Sequence, residues 1–435
     1  MSSPAIACLV LLGLLLLLML RVPIAIALCT AALAGIAILR GPATAWGVLA
    51  ELPYESAAHW SLSAVPMFLL MGAASLHGGL TGSLFETMRL WLGRLPGGLA
   101  VATNVACTMF AAASGSSVAT SAAMAPLAVP EMLKHRYQPA LATSVVAASG
   151  TIGAMIPPSL AFVIYGWYTG APIGKLLIAG IIPGLLTAAV YTAMIMGRVM
   201  ADPTLAPKPT ERYSLAEKLA SLRSIWPVPL LIVSVMGSIY TGIATATEAA
   251  ALGAVTALLI CLFRGTLSVK MLHGTFADTL KSTAAIFIIA IGAGLLAKFL
   301  ALSGLPAFLA SYVDATAPHP AVVIAFMLVL YLILGVFLDP IGIILITLPV
   351  LMPMFKVVQL DLIWMGVLVV KMIEIGLLTP PVGLNVFVVK AAVGDRVALS
   401  TIFRGVGWFL AAEVVIVALL LAFPQISLYL PSLME

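Results

Sequence analysis

Between Arg94 and Glu131 the chain runs for 36 residues without a charged side chain. As one straight helix this stretch would extend about 54 Å, against a bilayer hydrocarbon core of about 30 Å. The segment must therefore turn back on itself. Its middle supplies a place to turn: Ala111-Ala112-Ala113-Ser114-Gly115-Ser116-Ser117 is small and polar, and Pro126 and Pro130 follow it. Two readings are open, a re-entrant hairpin with a polar tip or two ordinary tight helices joined by the same residues. The next uncharged interval, from Tyr137 to Lys175, holds 37 residues and is broken near its centre by Ser149-Gly150-Thr151-Ile152-Gly153 and Pro157-Pro158. A proline pair removes backbone donors and disfavours helix just before it. Irregular backbone at membrane depth persists only where it is buried in protein or lines a cavity. The interval reads as a discontinuous helix.

Composition agrees with a membrane setting. Of 435 residues, 63% are hydrophobic and 9% charged, whereas soluble domains carry about 25% charged residues. A mean hydropathy of +1.19 excludes a water-soluble or disordered chain, and there is room for roughly 10 to 14 passes. The start, MSSPAIACLVLLGLLLLLML, lacks a basic leader region and stays apolar after Arg21-Val22-Pro23, so it reads as a retained helix; those three residues mark a break or a tight turn. Cys8, Cys29, Cys107 and Cys261 lie in apolar stretches without CxxC or Cys/His spacing, which supports neither disulfides nor zinc. The basic excess of +5 is scattered along the chain and forms no nucleic-acid patch.

The longest polar interval, Arg198 to Arg223, contains five basic residues, three acidic residues and three prolines. Its basic excess places it on the cytoplasmic side, and it divides the chain into residues 1–197, a connector at 198–225, and residues 226–435. The second part repeats the first. Pro126, Pro130, Pro157 and Pro158 recur as Pro349, Pro353, Pro380 and Pro381, each offset by 223 residues, and Gly153 recurs as Gly376. At the same offset Ser116 falls on Asp339. Hairpins are thus expected around 97–130 and 323–356, and broken helices around 139–168 and 362–390. Duplicated halves with matching broken helices point to the binding site of a secondary transporter.

The motifs resemble the large membrane subunit of the tripartite ATP-independent periplasmic (TRAP) transporters. The matching stretches are RVPIAIAL at 21–28, VPMFLLMG at 65–72, RLPGGLAVATNV at 94–105 and FAAASGSSVAT at 110–120. SGTIGAMIPPS at 149–159, TEAAALGA at 247–254 and EIGLLTPPVGLNVFV at 374–388 follow in the family's order. Two departures are Ala246, where the family usually has proline in T-P-T-E, and Lys371, where an uncharged residue is common. The resemblance implies an all-α polytopic membrane protein of two inverted repeats, with re-entrant hairpins and discontinuous helices. It implies an elevator-type sodium symporter of the ion transporter superfamily kind, in a bacterial inner membrane. Its partners would be a small four-helix membrane subunit, separate because this chain is too short to include it, and a periplasmic solute-binding protein that selects the substrate. The 223-residue offset alone fits inverted or parallel repeats.

Within that frame Ser114, Gly115, Ser116, Ser117, Gly150, Thr151 and Gly153 are candidates for a first sodium site. Gly335, Asp339, Gly376 and Thr379 are the symmetric candidates for a second. Hydroxyls and unpaired carbonyls suit a hard cation; the same small residues also serve close helix packing. Asp339 also suits a helix cap before Pro340. Asn385, with Thr151, Pro158 and Pro381 at the breaks, is a candidate for substrate, or for an interhelical hydrogen bond. Glu374 has Lys371 three residues before it, which suggests an ion pair; Glu248 suggests a scaffold contact, and Lys298 snorkelling to the interface.

The five histidines are dispersed, which argues against a metal site, and no cofactor is expected beyond sodium as coupling ion. No Walker motif, HExxH or GxSxG occurs, so an ATP-driven pump and a hydrolase are disfavoured. The expected function is sodium-driven uptake of small organic acids, with a self-sufficient ion-coupled anion transporter as the alternative. A channel is disfavoured by the duplicated broken helices.

Overall fold

The computed structural model describes residues 2–207, 213–316 and 319–434, and every regular element among them is a helix. In lipid a chain must satisfy its backbone groups internally, which leaves helices or closed barrels. Seven helical runs among the described residues are long and apolar enough to cross a membrane, including 29 residues at Ile173–Ala201 and 35 at Val269–Ser303. Six shorter apolar helices accompany them, among them Ser3–Met19 and Ile24–Arg40. Large apolar side chains such as Leu12, Met19, Ile38, Leu259, Val329 and Val414 lie exposed on the outside, as a lipid-facing surface requires. Arg21 has φ +63°, and the Val22 amide bonds the Leu17 carbonyl at 3.1 Å, so this early break is a tight turn. All four cysteines are free thiols.

Both hairpins and both broken helices form. The first hairpin has arms Gly98–Ser114 and Ser117–Lys134, and the first broken helix has halves Pro139–Thr151 and Leu160–Thr169. The second hairpin has arms Pro320–Gly335 and Pro340–Val357, followed by the halves Leu362–Gly376 and Leu384–Val393. The repeat visible in the prolines extends to helix starts. Ser117 and Pro340, like Pro139 and Leu362, stand 223 residues apart. Each second arm carries its two prolines inside the helix, so those prolines are not the breaks. The breaks come at Pro157-Pro158 and Pro380-Pro381, both cis.

The polar connector is partly helical: Leu215–Ile225 opens with a Ser214–Glu217 capping box, and residues 208–212 lie outside the described residues. This helix packs on Leu80–Leu92, where the Trp91 indole donates to the Lys218 carbonyl at 3.1 Å. Around the hairpins the long Val269–Ser303 helix lies against Ile24–Arg40 and Ala64–His77, and Ala64–His77 also lies against Ala246–Phe263. Glycine allows several of these approaches: a Cβ on Gly292 would meet the Leu28 Cβ at 2.9 Å.

Candidate functional site

In the first repeat the hairpin tip is seated on the helix break. Gly115 closes the first arm in a left-handed conformation, φ +65°, and its carbonyl accepts from the Leu160 amide at 3.2 Å. A Cβ at Gly115 would meet the Pro158 carbonyl, and one at Gly153 would lie 2.8 Å from the Ser116 carbonyl. Ser116 caps the second arm through the Ala119 amide, 3.4 Å. Ser114 shares a 2.6 Å hydrogen bond with Thr120, and Gly150 packs against Ser117 and Ser121. Ser114, Gly115, Ser116, Ser117, Gly150, Gly153 and Pro158 are therefore neighbours. Thr151 is buried on the same helix, with its hydroxyl committed to the Ala148 carbonyl at 2.6 Å.

The second repeat uses the same plan with different chemistry. Gly335 ends the first arm against Gly376, and a Cβ on Gly335 would stand 2.9 Å from the Gly376 Cα. Asp339, offset-equivalent to Ser116, caps the second arm by accepting the Ile341 and Gly342 amides, each at 3.1 Å. The Thr379 hydroxyl donates to the Ile375 carbonyl at 2.8 Å. Pro381 is exposed, whereas Pro158 is buried.

Side chains near the breaks also join the two repeats. The Ser117 hydroxyl donates to Glu374 Oε1 at 3.1 Å across 257 residues of sequence. Asn385 is fully buried, and its amide donates to the Ala147 carbonyl at 3.4 Å. Three buried oxygens, Ser121 Oγ, Glu374 Oε2 and Asn385 Oδ1, have no hydrogen-bond partner. Buried acceptors left this way are costly unless something else satisfies them.

Two expectations are corrected here. Lys371 does not pair with Glu374. Its ammonium lies 2.7 Å from Glu413 Oε2, with both side chains 1% exposed, and it donates to the Thr187 hydroxyl at 2.9 Å. The Tyr191 hydroxyl also donates to Glu413. The long lysine side chain reaches neighbouring helices Ile181–Ala201 and Leu399–Ala422, where three polar partners converge. That arrangement satisfies a buried charge better than one intrahelical pair. Glu248 is exposed and closes a capping box with Thr245, so its role is local to the helix start. Glu413 and Tyr191 were missed by the sequence reading, although Glu413 is an ionisable residue within an apolar stretch, the feature that singled out Glu374. Asn104 was missed too; it accepts from the Ser149 hydroxyl at 2.7 Å and donates to the Ala188 carbonyl at 2.9 Å.

Two cavities adjoin these elements. One, of about 400 Å³, borders the first hairpin tip at Ser114 and Ser116 and is walled by the Ala64–His77 and Val269–Ser303 helices. The other, about 610 Å³, is lined by His59, Trp60, Trp167 and Lys175, and contains none of the site candidates.

Residues 11–426 match the family described as the tripartite ATP-independent periplasmic transporter, DctM component. The chain is 36% identical over 383 residues to the C4-dicarboxylate TRAP transporter large permease protein of Pseudomonas aeruginosa, covering 87% of this chain and 88% of that protein. It is 32% identical to the ectoine TRAP transporter large permease protein of Halomonas elongata, over 96% of this chain and 97% of that one. The YdaH transporter of Alcanivorax borkumensis shares the fold, with a TM-score of 0.62 at 14% identity over 93% of this chain and 98% of that chain.

Proposed function

The chain belongs to the DctM component family of tripartite ATP-independent periplasmic transporters, and from that premise we propose that it drives sodium-coupled uptake of small organic acids across a bacterial inner membrane. It is a multi-pass transport protein, not an enzyme. The observation that carries the proposal is the repeated seating of a hairpin tip on a helix break. At such junctions backbone carbonyls and helix ends supply partial charges without burying full ones.

A hard monovalent cation fits the residues present. Around the first junction stand the hydroxyls of Ser114, Ser116 and Ser117 and the peptides of Gly150, Thr151 and Gly153. At the second stand Gly335, Asp339, Gly376 and Thr379. The unpartnered Ser121, Glu374 and Asn385 oxygens are the sort of acceptors a dehydrated cation satisfies. Asn385, Thr151, Pro158 and Pro381 mark the substrate side of the two breaks. In this reading the halves at 1–197 and 226–435 are inverted repeats flanking the 198–225 connector. The hairpins and broken helices then move together as an elevator against the remaining helices.

The acid is delivered by a periplasmic solute-binding protein, and a small membrane subunit completes the complex. The substrate class follows the C4-dicarboxylate relative, the more similar of the two relatives described. The test is uptake into vesicles containing the assembled transporter. Uptake is expected only with an inward sodium gradient and the binding protein together; equal rates in sodium-free buffer would overturn the sodium assignment.

A further inference from the structure

The cavity beside the first hairpin tip combines three features that bear on what it holds. Its volume, about 400 Å³, lies within the 300–1,000 Å³ usual for small-molecule sites. Its wall includes Ser114 and Ser116 of the hairpin, whose hydroxyls are engaged by Thr120 and the Ala119 amide, and the exposed Ser282 of the Val269–Ser303 helix. It also carries Asp278 and Lys281 from that same helix.

These two charges differ in their company. Asp278 has a counter-group in His77, whose Nε2 lies 2.8 Å from the carboxylate. Lys281 is exposed at the cavity mouth and has no carboxylate within ion-pair distance among the described residues, while Leu69 and Phe110 line the same cavity. The Ser117–Lys134 helix begins at the same wall, and the amide end of a helix favours negative charge. An accessible lysine without a counter-ion, an amide-rich helix start and the Ser282 hydroxyl make a receptor for an anion.

We propose that this cavity is where the carboxylate of the transported acid docks, with Lys281 as its counter-ion. The proposal rests on the organic-acid reading above and adds a named recognition residue outside both hairpins and both broken helices. Lys281 binds a negatively charged oxygen as a mobile point charge. Ser282 and the helix start receive the remaining oxygens. Because the cavity is shared between the hairpin and a neighbouring helix, a bound acid touches both.

The test uses the full chain in membrane vesicles, with Ala122→Cys as a reporter in a background where Cys8, Cys29, Cys107 and Cys261 are replaced. Ala122 is exposed and lines the cavity. Labelling rates are measured for an anionic sulfonate thiol reagent and a cationic ammonium one, with Lys281, Lys281→Gln and Lys281→Arg. Lys281→Gln is expected to slow the anionic reagent about fivefold without slowing the cationic one, and Lys281→Arg to restore the rate. A panel of acids (lactate, succinate and glutarate) is then compared with the corresponding amides as protectants. At least one acid is expected to protect where its amide does not, and to need about tenfold more concentration in Lys281→Gln. Equal anionic rates, equal protection by acid and amide, or protection unaffected by Lys281→Gln would each overturn the proposal. Vesicle uptake separates this from the broader reading. Sodium-driven uptake that persists with unchanged KM in Lys281→Gln refutes the cavity alone. Sodium-independent uptake with Lys281-dependent protection refutes the sodium assignment alone.

Discussion

The buried pair of Lys371 and Glu413 offers a sharp energetic test, because both side chains are 1% exposed and 2.7 Å apart. Glu413→Gln would leave the ammonium facing only neutral groups, the Thr187 hydroxyl and the glutamine amide. Lys371→Met would leave a carboxylate with only the Tyr191 hydroxyl. Breaking a buried pair by removing one partner costs about 3–5 kcal/mol, so each single variant should lose that much. The double variant, Lys371→Met with Glu413→Gln, removes both charges. It costs the Thr187 hydroxyl one contact, while its bond to the Pro183 carbonyl remains, and leaves Tyr191 a neutral amide oxygen in place of the carboxylate; each such loss is worth about 0.5–1.5 kcal/mol. The expected double loss is thus about 1–3 kcal/mol, well short of the roughly 6–10 kcal/mol that additivity would give. The assay is reversible unfolding of the purified chain in mixed micelles by graded SDS, followed by tryptophan fluorescence and helical content. The four proteins of the cycle are compared at one ionic strength. Single losses below about 1 kcal/mol, or a double loss equal to the sum, would refute the reasoning. Either result would mean that water or another group compensates these charges in the folded protein.

Two further outcomes follow from the hairpin geometry. Gly376→Ala places a Cβ 2.5 Å from the Gly335 Cα, a backbone atom unable to swing aside. The expected cost is about 1–3 kcal/mol, with uptake reduced at least tenfold and membrane insertion retained; normal uptake would show that the two glycines need not touch. If the repeats are inverted, Ser116→Cys and Ile341→Cys in a cysteine-free background should react with an impermeant thiol reagent from opposite sides of sealed vesicles. Labelling of both from the same side would establish parallel repeats instead.

Much of the architecture was written in local sequence. An uncharged run too long for one crossing, a polar tip and a proline pair are short-range features, and each acts on its own stretch of backbone. They sufficed to place hairpins and breaks, and the 223-residue offset carried from prolines to the helix starts at Ser117 and Pro340. Asp339 as a cap was legible for the same reason, since capping involves only the next few amides. Partner choice was not legible. Lys371 and Glu374 share one helical face, yet the lysine turns to Glu413, while Glu374 receives the Ser117 hydroxyl from the other half of the chain. The sequence placed Gly335 and Gly376 at matching tip and break positions but not in contact, and it gave no sign that Lys281 lines a cavity with Ser114 and Ser116. These pairings depend on how whole helices pack, because a side chain buried in a membrane protein bonds to whatever donor or acceptor the neighbouring helix presents. Helix packing is decided by many weak contacts summed along each interface, and no single residue in the sequence carries that sum.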